Sequence, residues 1–141
     1  EAAPAAEPAR AVRTVLYIED DLSNIVVIER LLARRPGLRL LPAMQGRLGL
    51  DLARRHRPDL LLLDLTLPDL GGEEVLRQLR ADPETRAIPV VVLSADDTPS
   101  RIERLLDAGA WAYLTKPLDV KRLLTLLDET LGRAANESRA S

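Results

Sequence analysis

Cysteine and phenylalanine are both missing from this sequence. Without a thiol there is no disulfide, no cysteine nucleophile and no zinc–thiolate centre, and a reducing compartment is compatible with the chain. With aromatics at only 2 % of residues, the core has to be built from Leu, Val, Ile and Ala, within an apolar share of 46 %. No apolar run reaches the roughly 20 residues that cross a bilayer, and the N-terminus lacks the basic and apolar regions of a secretory signal. Charge of neither sign dominates, with 20 Lys and Arg against 22 Asp and Glu. A direct electrostatic contact with nucleic acid is therefore not expected. The composition points to a soluble, cytoplasmic protein with no membrane partner, and 141 residues suffice for one domain around one core.

The chain begins with Glu1, not Met, and is read as trimmed or as a fragment. "EAAPAAEPARA" (Glu1 to Ala11) is Ala/Pro-rich without a usable period and reads as a linker. The polar end "GRAANESRAS" (Gly132 to Ser141) reads as a frayed tail. The expected division is a linker over 1–12, a folded domain over 13–132 and a flexible tail over 133–141.

Inside those limits strand and helix signals alternate. Thr14 to Ile18 is a short apolar run. Ile25, Ile28, Leu31 and Leu32 then recur at helical spacing up to the stop signal "RRPG". Leu38 to Ala43 reads as a weaker strand, and Leu48 to His56 as a helix with Leu48, Leu52 and Ala53 facing inward. "DLLLLDL" (Asp59 to Leu65) is the most continuous apolar run and reads as a central strand buried on both faces. After the turn "LPDLGG", Glu73 to Ala81 reads as a helix with Val75, Leu76 and Leu79 inward. "IPVVVLSA" (Ile88 to Ala95) is a fourth strand. Pro99 opens a helix that Gly109 closes. "AWAYLT" (Ala110 to Thr115) is a fifth strand, and Asp119 to Leu131 a fifth helix with Leu123, Leu124 and Leu127 inward. Crossovers this long exclude hairpins and predict an α/β fold with a parallel sheet covered on both faces.

In such a sheet ligands bind beyond the carboxyl ends of the strands. Strand one ends at Glu19-Asp20-Asp21, strand three at Asp64, strand four at Ser94, and strand five at Thr115-Lys116-Pro117. Acids from strands one and three would converge there with a hydroxyl and a lysine. Three carboxylates around a small site call for a hard divalent cation with oxygen ligands, and Mg2+ suits them better than a nitrogen- or sulfur-seeking metal. A lysine at the rim would face a carboxylate or an incoming anion such as a phosphoryl group.

Together "YIEDD", "LLLLDLTLPDLGG", "VVVLSA" and "YLTKP", in this order and spacing, resemble the receiver domains of two-component response regulators. The resemblance runs from about Thr14 to Leu131. It implies a flavodoxin-like (βα)5 three-layer sandwich with a five-stranded parallel sheet of order 2-1-3-4-5. It implies Asp64 as phosphoacceptor, and Glu19, Asp20, Asp64 and the backbone carbonyl of Thr66 as Mg2+ ligands. Ser94 and Lys116 would contact the phosphoryl group, with Ser94 and Tyr113 as switch positions and Lys116-Pro117 as a bond commonly cis. Asp21 matches no ligand position and reads as a helix cap or a solvated acid. Partners implied are a histidine kinase or histidine phosphotransfer domain, and a downstream protein at the face of the fourth helix, fifth strand and fifth helix. A phosphorylation-linked homodimer also belongs to the family's repertoire. The parent protein would be a stand-alone regulator or a hybrid histidine kinase.

Two departures stand out. Glu19 occupies a place where many members have Asp, and Leu70-Gly71-Gly72 lacks the acid frequent before the glycine.

Each residue also has a plainer reading: Glu19, Asp20 and Ser94 as caps or solvated groups, Tyr113 as a half-buried strand aromatic. His56, the only histidine, reads as a solvated helix-end residue, and Trp111 as packing or part of a surface patch. The arginines of "ARRPG" and "LARRHRP" suit helix C-termini. Two other functions remain as comparisons. A haloacid-dehalogenase-like phosphatase would want a second Asp at the place of Thr66. A pseudo-receiver would bind protein only, although every acceptor part is present here.

Overall fold

Five strands pair in parallel into one sheet: β1 (Arg13–Ile18), β2 (Leu38–Ala43), β3 (Leu60–Asp64), β4 (Val90–Ser94) and β5 (Ala112–Thr115). Their order is β2-β1-β3-β4-β5, the flavodoxin-like arrangement expected. The connecting helices are α1 (Leu22–Leu32), α2 (Gly46–His56), α3 (Gly72–Ala81), α4 (Pro99–Asp107) and α5 (Val120–Ala140). This is a computed structural model, and it describes residues 12–140. The expected linker over 1–12, except for Val12, lies outside the described residues.

Strand periodicity accounts for the three layers. Successive side chains leave a strand on opposite faces. Leu16, Ile18, Leu61, Leu63, Val90 and Val92 therefore pack with Leu50, Ala53, Val75, Leu76, Leu79 and Leu105 of α2, α3 and α4. The intervening Val15, Tyr17, Leu60, Leu62, Val91 and Leu93 pack with Ile25, Ile28, Leu123 and Leu127 of α1 and α5. β3 and β4 are buried at every position, as a strand covered on both faces must be. β2 lies at the sheet edge, where Pro42 is tolerated because no second neighbour needs its missing N–H.

The inward face of α2 differs from the expectation. Leu48 is 44 % exposed, whereas Gly46, Gly49, Leu50 and Ala53 are buried. The cause is Gly49, where an added Cβ would stand 2.3 Å from Ile18 Cδ1. The helix lies against β1 at Gly49 and against Leu70 and Val75 at Gly46, and a count of large apolar residues cannot see a glycine face. The last helix also continues to Ala140 and not to Leu131. The residues after Gly132 include Ala, Glu and Arg, all good helix formers, and no proline stops them.

One glycine fixes the loop that follows Asp64. At Gly72 an added Cβ would lie 2.6 Å from Leu65 Cα and 2.7 Å from the Asp64 carbonyl oxygen, both backbone atoms that cannot yield cheaply. At the adjoining Gly71 it would meet nothing within 4 Å. Gly72→Ala is predicted to cost about 1–3 kcal/mol in urea unfolding. Gly71→Ala, free of any clash but at the N-cap of α3, should cost less, about 1 kcal/mol or below.

Candidate functional site

The carboxyl end of β1 separates three adjacent acids into three environments. Glu19 is buried, and Asp20 is exposed. Asp21 is the N-cap of α1, its carboxylate accepting from the Ser23 N–H at 2.9 Å and the Ser23 hydroxyl at 2.6 Å. Those bonds hold the Asp21 carboxyl below its usual range. Its own side chain is thus committed to the helix.

From β3, next to β1 in the sheet, comes Asp64, only 6 % exposed. Its Oδ1 accepts from Lys116 Nζ at 3.0 Å and its Oδ2 from the Thr66 N–H at 3.2 Å. Lys116 Nζ also stands 3.5 Å from Glu19 Oε1. One carboxylate oxygen from each of Glu19, Asp20 and Asp64 falls within 4.8 Å of the other two. Glu19 and Asp64 thus share one ammonium, with Asp20 standing beside them. Burial pushes the Asp64 carboxyl above its ordinary value, the Lys116 hydrogen bond pulls it back, and the Glu19 charge adds to the rise. Burial works against the Lys116 charge, but its hydrogen bond to Asp64 and the charges of Asp64 and Glu19 outweigh it, so the ammonium is favoured.

Ser94 closes β4. Its hydroxyl oxygen accepts the Asp96 N–H at 3.1 Å, and its carbonyl accepts the Lys116 N–H at 2.8 Å. Tyr113 is buried against the α2–α4 side, and its hydroxyl donates to the Asp96 carbonyl at 2.6 Å. The Lys116-Pro117 bond is cis. Of the residues singled out in the sequence, Glu19, Asp64 and Lys116 meet directly, and Asp20 brings a carboxylate oxygen within 4.8 Å of the other two acids. Thr66 touches the group through its N–H. Ser94 borders it, and Tyr113 reaches it only through Asp96. His56 is exposed at the end of α2, away from these side chains' contacts, and Trp111 is 45 % exposed at the start of β5.

Four contributors were not foreseen. Tyr17 donates its hydroxyl to Glu19 Oε1 at 2.9 Å, and Asn24 donates its amide to the same oxygen at 3.2 Å. Asp69 accepts the Gly46 and Arg47 N–H groups at 2.8 and 3.0 Å, tying the loop after Asp64 to the start of α2. Arg101 on α4 bridges Asp96 at 3.2 Å and Glu73 on α3 at 3.0 Å. Tyr17 had a signal, since residues two apart on a strand share a face. The other three depend on tertiary placement and had none.

Known proteins of one family are similar to this chain in sequence and fold. Residues 15–128 match the family model of the response regulator receiver domain. The chain belongs to that family. It is 36 % identical over 122 residues to the polar-differentiation response regulator DivK of Brucella anthropi, covering 86 % of this receiver and 98 % of the relative. A signal receiver domain from Vibrio parahaemolyticus superposes with a TM-score of 0.85 at 28 % identity, covering 92 % and 98 % of the two chains. The receiver domain of the Pseudomonas aeruginosa sensor histidine kinase PA1611 has a TM-score of 0.77 at 32 % identity, covering 86 % and 98 %, and in that protein a magnesium ion is coordinated in the active site cleft. Receiver domains are phosphorylation-dependent switches in two-component signalling and not classical enzymes. Among the described residues of this receiver no helix is long and apolar enough to cross a membrane.

The raised pKa of Asp64 means that the fold disfavours its ionised form relative to the unfolded chain. At neutral pH, therefore, the neutral isostere should relieve the metal-free protein. Asp64→Asn is predicted to raise the thermal midpoint in a chelator-containing buffer. A lower midpoint would contradict the electrostatic account of the site.

Proposed function

We propose that this receiver accepts a phosphoryl group on Asp64 from the phosphohistidine of a histidine kinase or phosphotransfer domain, with Mg2+ at Glu19, Asp20, Asp64 and the Thr66 carbonyl. The observation that carries the reading is the convergence of three carboxylates from β1 and β3 on one point beside Lys116. Only oxygen donors are gathered there, their charge exceeds that of the single ammonium, and the group sits at a mouth that Asp20 opens to solvent. That donor set fits a hard divalent cation. When bound, Mg2+ supplies charge neutralisation for a carboxylate approached by a phosphoryl dianion.

The rest is done by the chain's own residues. An Asp64 carboxylate oxygen attacks phosphorus. The P–N bond to the donor imidazole breaks, and its electron pair stays on the nitrogen. The product is a mixed anhydride on Asp64. Lys116, already hydrogen-bonded to Asp64, is placed to pair with a phosphoryl oxygen as the negative charge moves outward. Thr66 lies where a haloacid-dehalogenase-like phosphatase would need its second Asp, which disfavours turnover chemistry.

Asp96 supports the switching part of the proposal. Its N–H meets Ser94, its carbonyl meets Tyr113, and its carboxylate meets Arg101 of α4. A Ser94 hydroxyl drawn to the phosphoryl group would disturb all three bonds at once. α4 fully buries only Leu105 and is otherwise steadied by ion pairs of Arg101 and Arg104 with Glu73. A helix so weakly anchored by apolar contacts is a suitable two-state element. The face of α4, β5 and α5 would then present a changed surface to a downstream protein. DivK is a response regulator and PA1611 a sensor histidine kinase, so the relatives support the receiver reading in either a stand-alone or a hybrid parent.

Intact-mass measurement after incubation with Mg2+ and a small-molecule phosphodonor tests the proposal. The expected result is a single added phosphoryl group, absent in Asp64→Asn and absent when Mg2+ is chelated. A folded wild-type protein with no adduct, or an adduct that survives Asp64→Asn, would overturn it.

A further inference from the structure

The metal reading of this site leaves one feature unused. Glu19 is a methylene longer than aspartate and has an additional rotatable bond, so an unrestrained Glu19 could meet a cation in several ways. It is not unrestrained. Its Oε1 receives the Tyr17 hydroxyl at 2.9 Å and the Asn24 amide at 3.2 Å, with Lys116 Nζ at 3.5 Å. Among the described residues its Oε2 receives only the Asp21 N–H, at 3.2 Å. One oxygen is saturated by donors, and the other keeps the capacity to face an ion.

Tyr17 is a firm anchor for this arrangement. It lies two residues before Glu19 on β1 and so projects on the same side of the strand. It is 1 % exposed, its ring held in the layer between the sheet and the α1–α5 helices. Burial, together with the charge and hydrogen bond of Glu19, pushes the phenol well above its ordinary pKa, so the hydroxyl remains a donor. Asn24 comes from the first turns of α1, whose start is fixed by the Asp21 cap. The two donors therefore reach one carboxylate oxygen from two packed elements, neither of which can follow a rotating Glu19.

We infer that Tyr17, assisted by Asn24, is a positioning residue that fixes the Glu19 carboxylate and thereby gives the site its preference for Mg2+ over Ca2+. The inference rests on the Mg2+ site proposed above. Its physical basis is the difference between the two ions. Mg2+ demands near-ideal octahedral geometry at short distance, whereas Ca2+ accepts longer, variable and bidentate carboxylate contacts. A fixed Glu19 with a single available oxygen suits the first ion. A released Glu19, able to turn both oxygens outward, suits the second. Groups hydrogen-bonded behind a metal ligand typically matter about 10- to 100-fold in affinity.

Calorimetric titration with MgCl2 and, separately, CaCl2 tests this on the whole chain. Wild type is expected to bind Mg2+ more tightly than Ca2+. Tyr17→Phe, which keeps the ring and removes only the hydroxyl, should weaken Mg2+ binding about tenfold. Its Ca2+ affinity should fall less, so that the preference narrows. In a Glu19→Ala background the same substitution should add no further change, because the residue through which it acts is gone. Asn24→Ala, at a partly exposed position, should narrow the preference in the same direction and serves if Tyr17→Phe fails to fold by circular dichroism. Equal losses for the two ions, an unchanged preference in a folded variant, or a Tyr17 effect that persists without Glu19 would overturn the inference. A wild-type protein that binds no Mg2+ would overturn it together with the metal reading on which it rests.

Discussion

Gathering carboxylates against their mutual repulsion is the constraint on which the rest of this receiver depends. Glu19, Asp20 and Asp64 would separate in a flexible chain. Here the parallel register of β1 and β3, with Ile18 opposite Leu63, delivers their strand ends side by side. The backbone that does this is held by two apolar layers containing neither Cys nor Phe, built almost wholly from Leu, Val and Ile. Lys116, brought by the turn after β5, is the cation that the group touches. The fold thus maintains an excess of negative charge at one edge, and the chemistry proposed for the site draws on that excess.

Much of the architecture was legible because strand and helix leave different periods in the sequence. Short continuous apolar runs such as Leu60–Leu63 and Val90–Leu93, bounded by turn signals, read as strands covered on both faces. The acids and the lysine were legible for a related reason, since parallel topology puts every strand's carboxyl end on one edge. The order of the strands was not written in any period and came from family resemblance. The α2 face was misread at Leu48 because Gly49 carries no side chain to count, yet it allows the close approach to β1, while Ala53 and Leu52 do pack inward. The length of α5 was underestimated because a polar end and one glycine resemble a tail until the helix propensities of Ala, Glu and Arg are weighed. In the site, Asn24, Asp69 and Arg101 lacked any local signal. Each acts on a residue from another segment, and only the folded chain shows which.

Asp96 illustrates how little material connects the site to its surroundings. A single residue beyond β4 has its N–H on Ser94, its carbonyl under Tyr113 and its carboxylate on Arg101. The connections are hydrogen bonds and partly exposed ion pairs, each worth on the order of 1 kcal/mol. Interactions of that size can be exchanged by one new phosphoryl group, whereas the apolar layers beneath cannot. The rigid part of the molecule positions the acids, and the lightly held part is available to respond.

The division of the three adjacent acids is the most exposed point of this account. Asp20 faces the convergent site, while Asp21, its neighbour, has its carboxylate on Ser23 as the cap of α1. Two residues of equal charge, side by side in sequence, should therefore differ completely in their effect on metal binding. Calorimetric titration of Mg2+ into wild type, Asp20→Asn and Asp21→Asn measures this directly. Wild type is expected to bind, Asp20→Asn to bind much more weakly and Asp21→Asn to bind essentially as wild type does. Equal affinities for the two variants, or a greater loss in Asp21→Asn, would contradict this division.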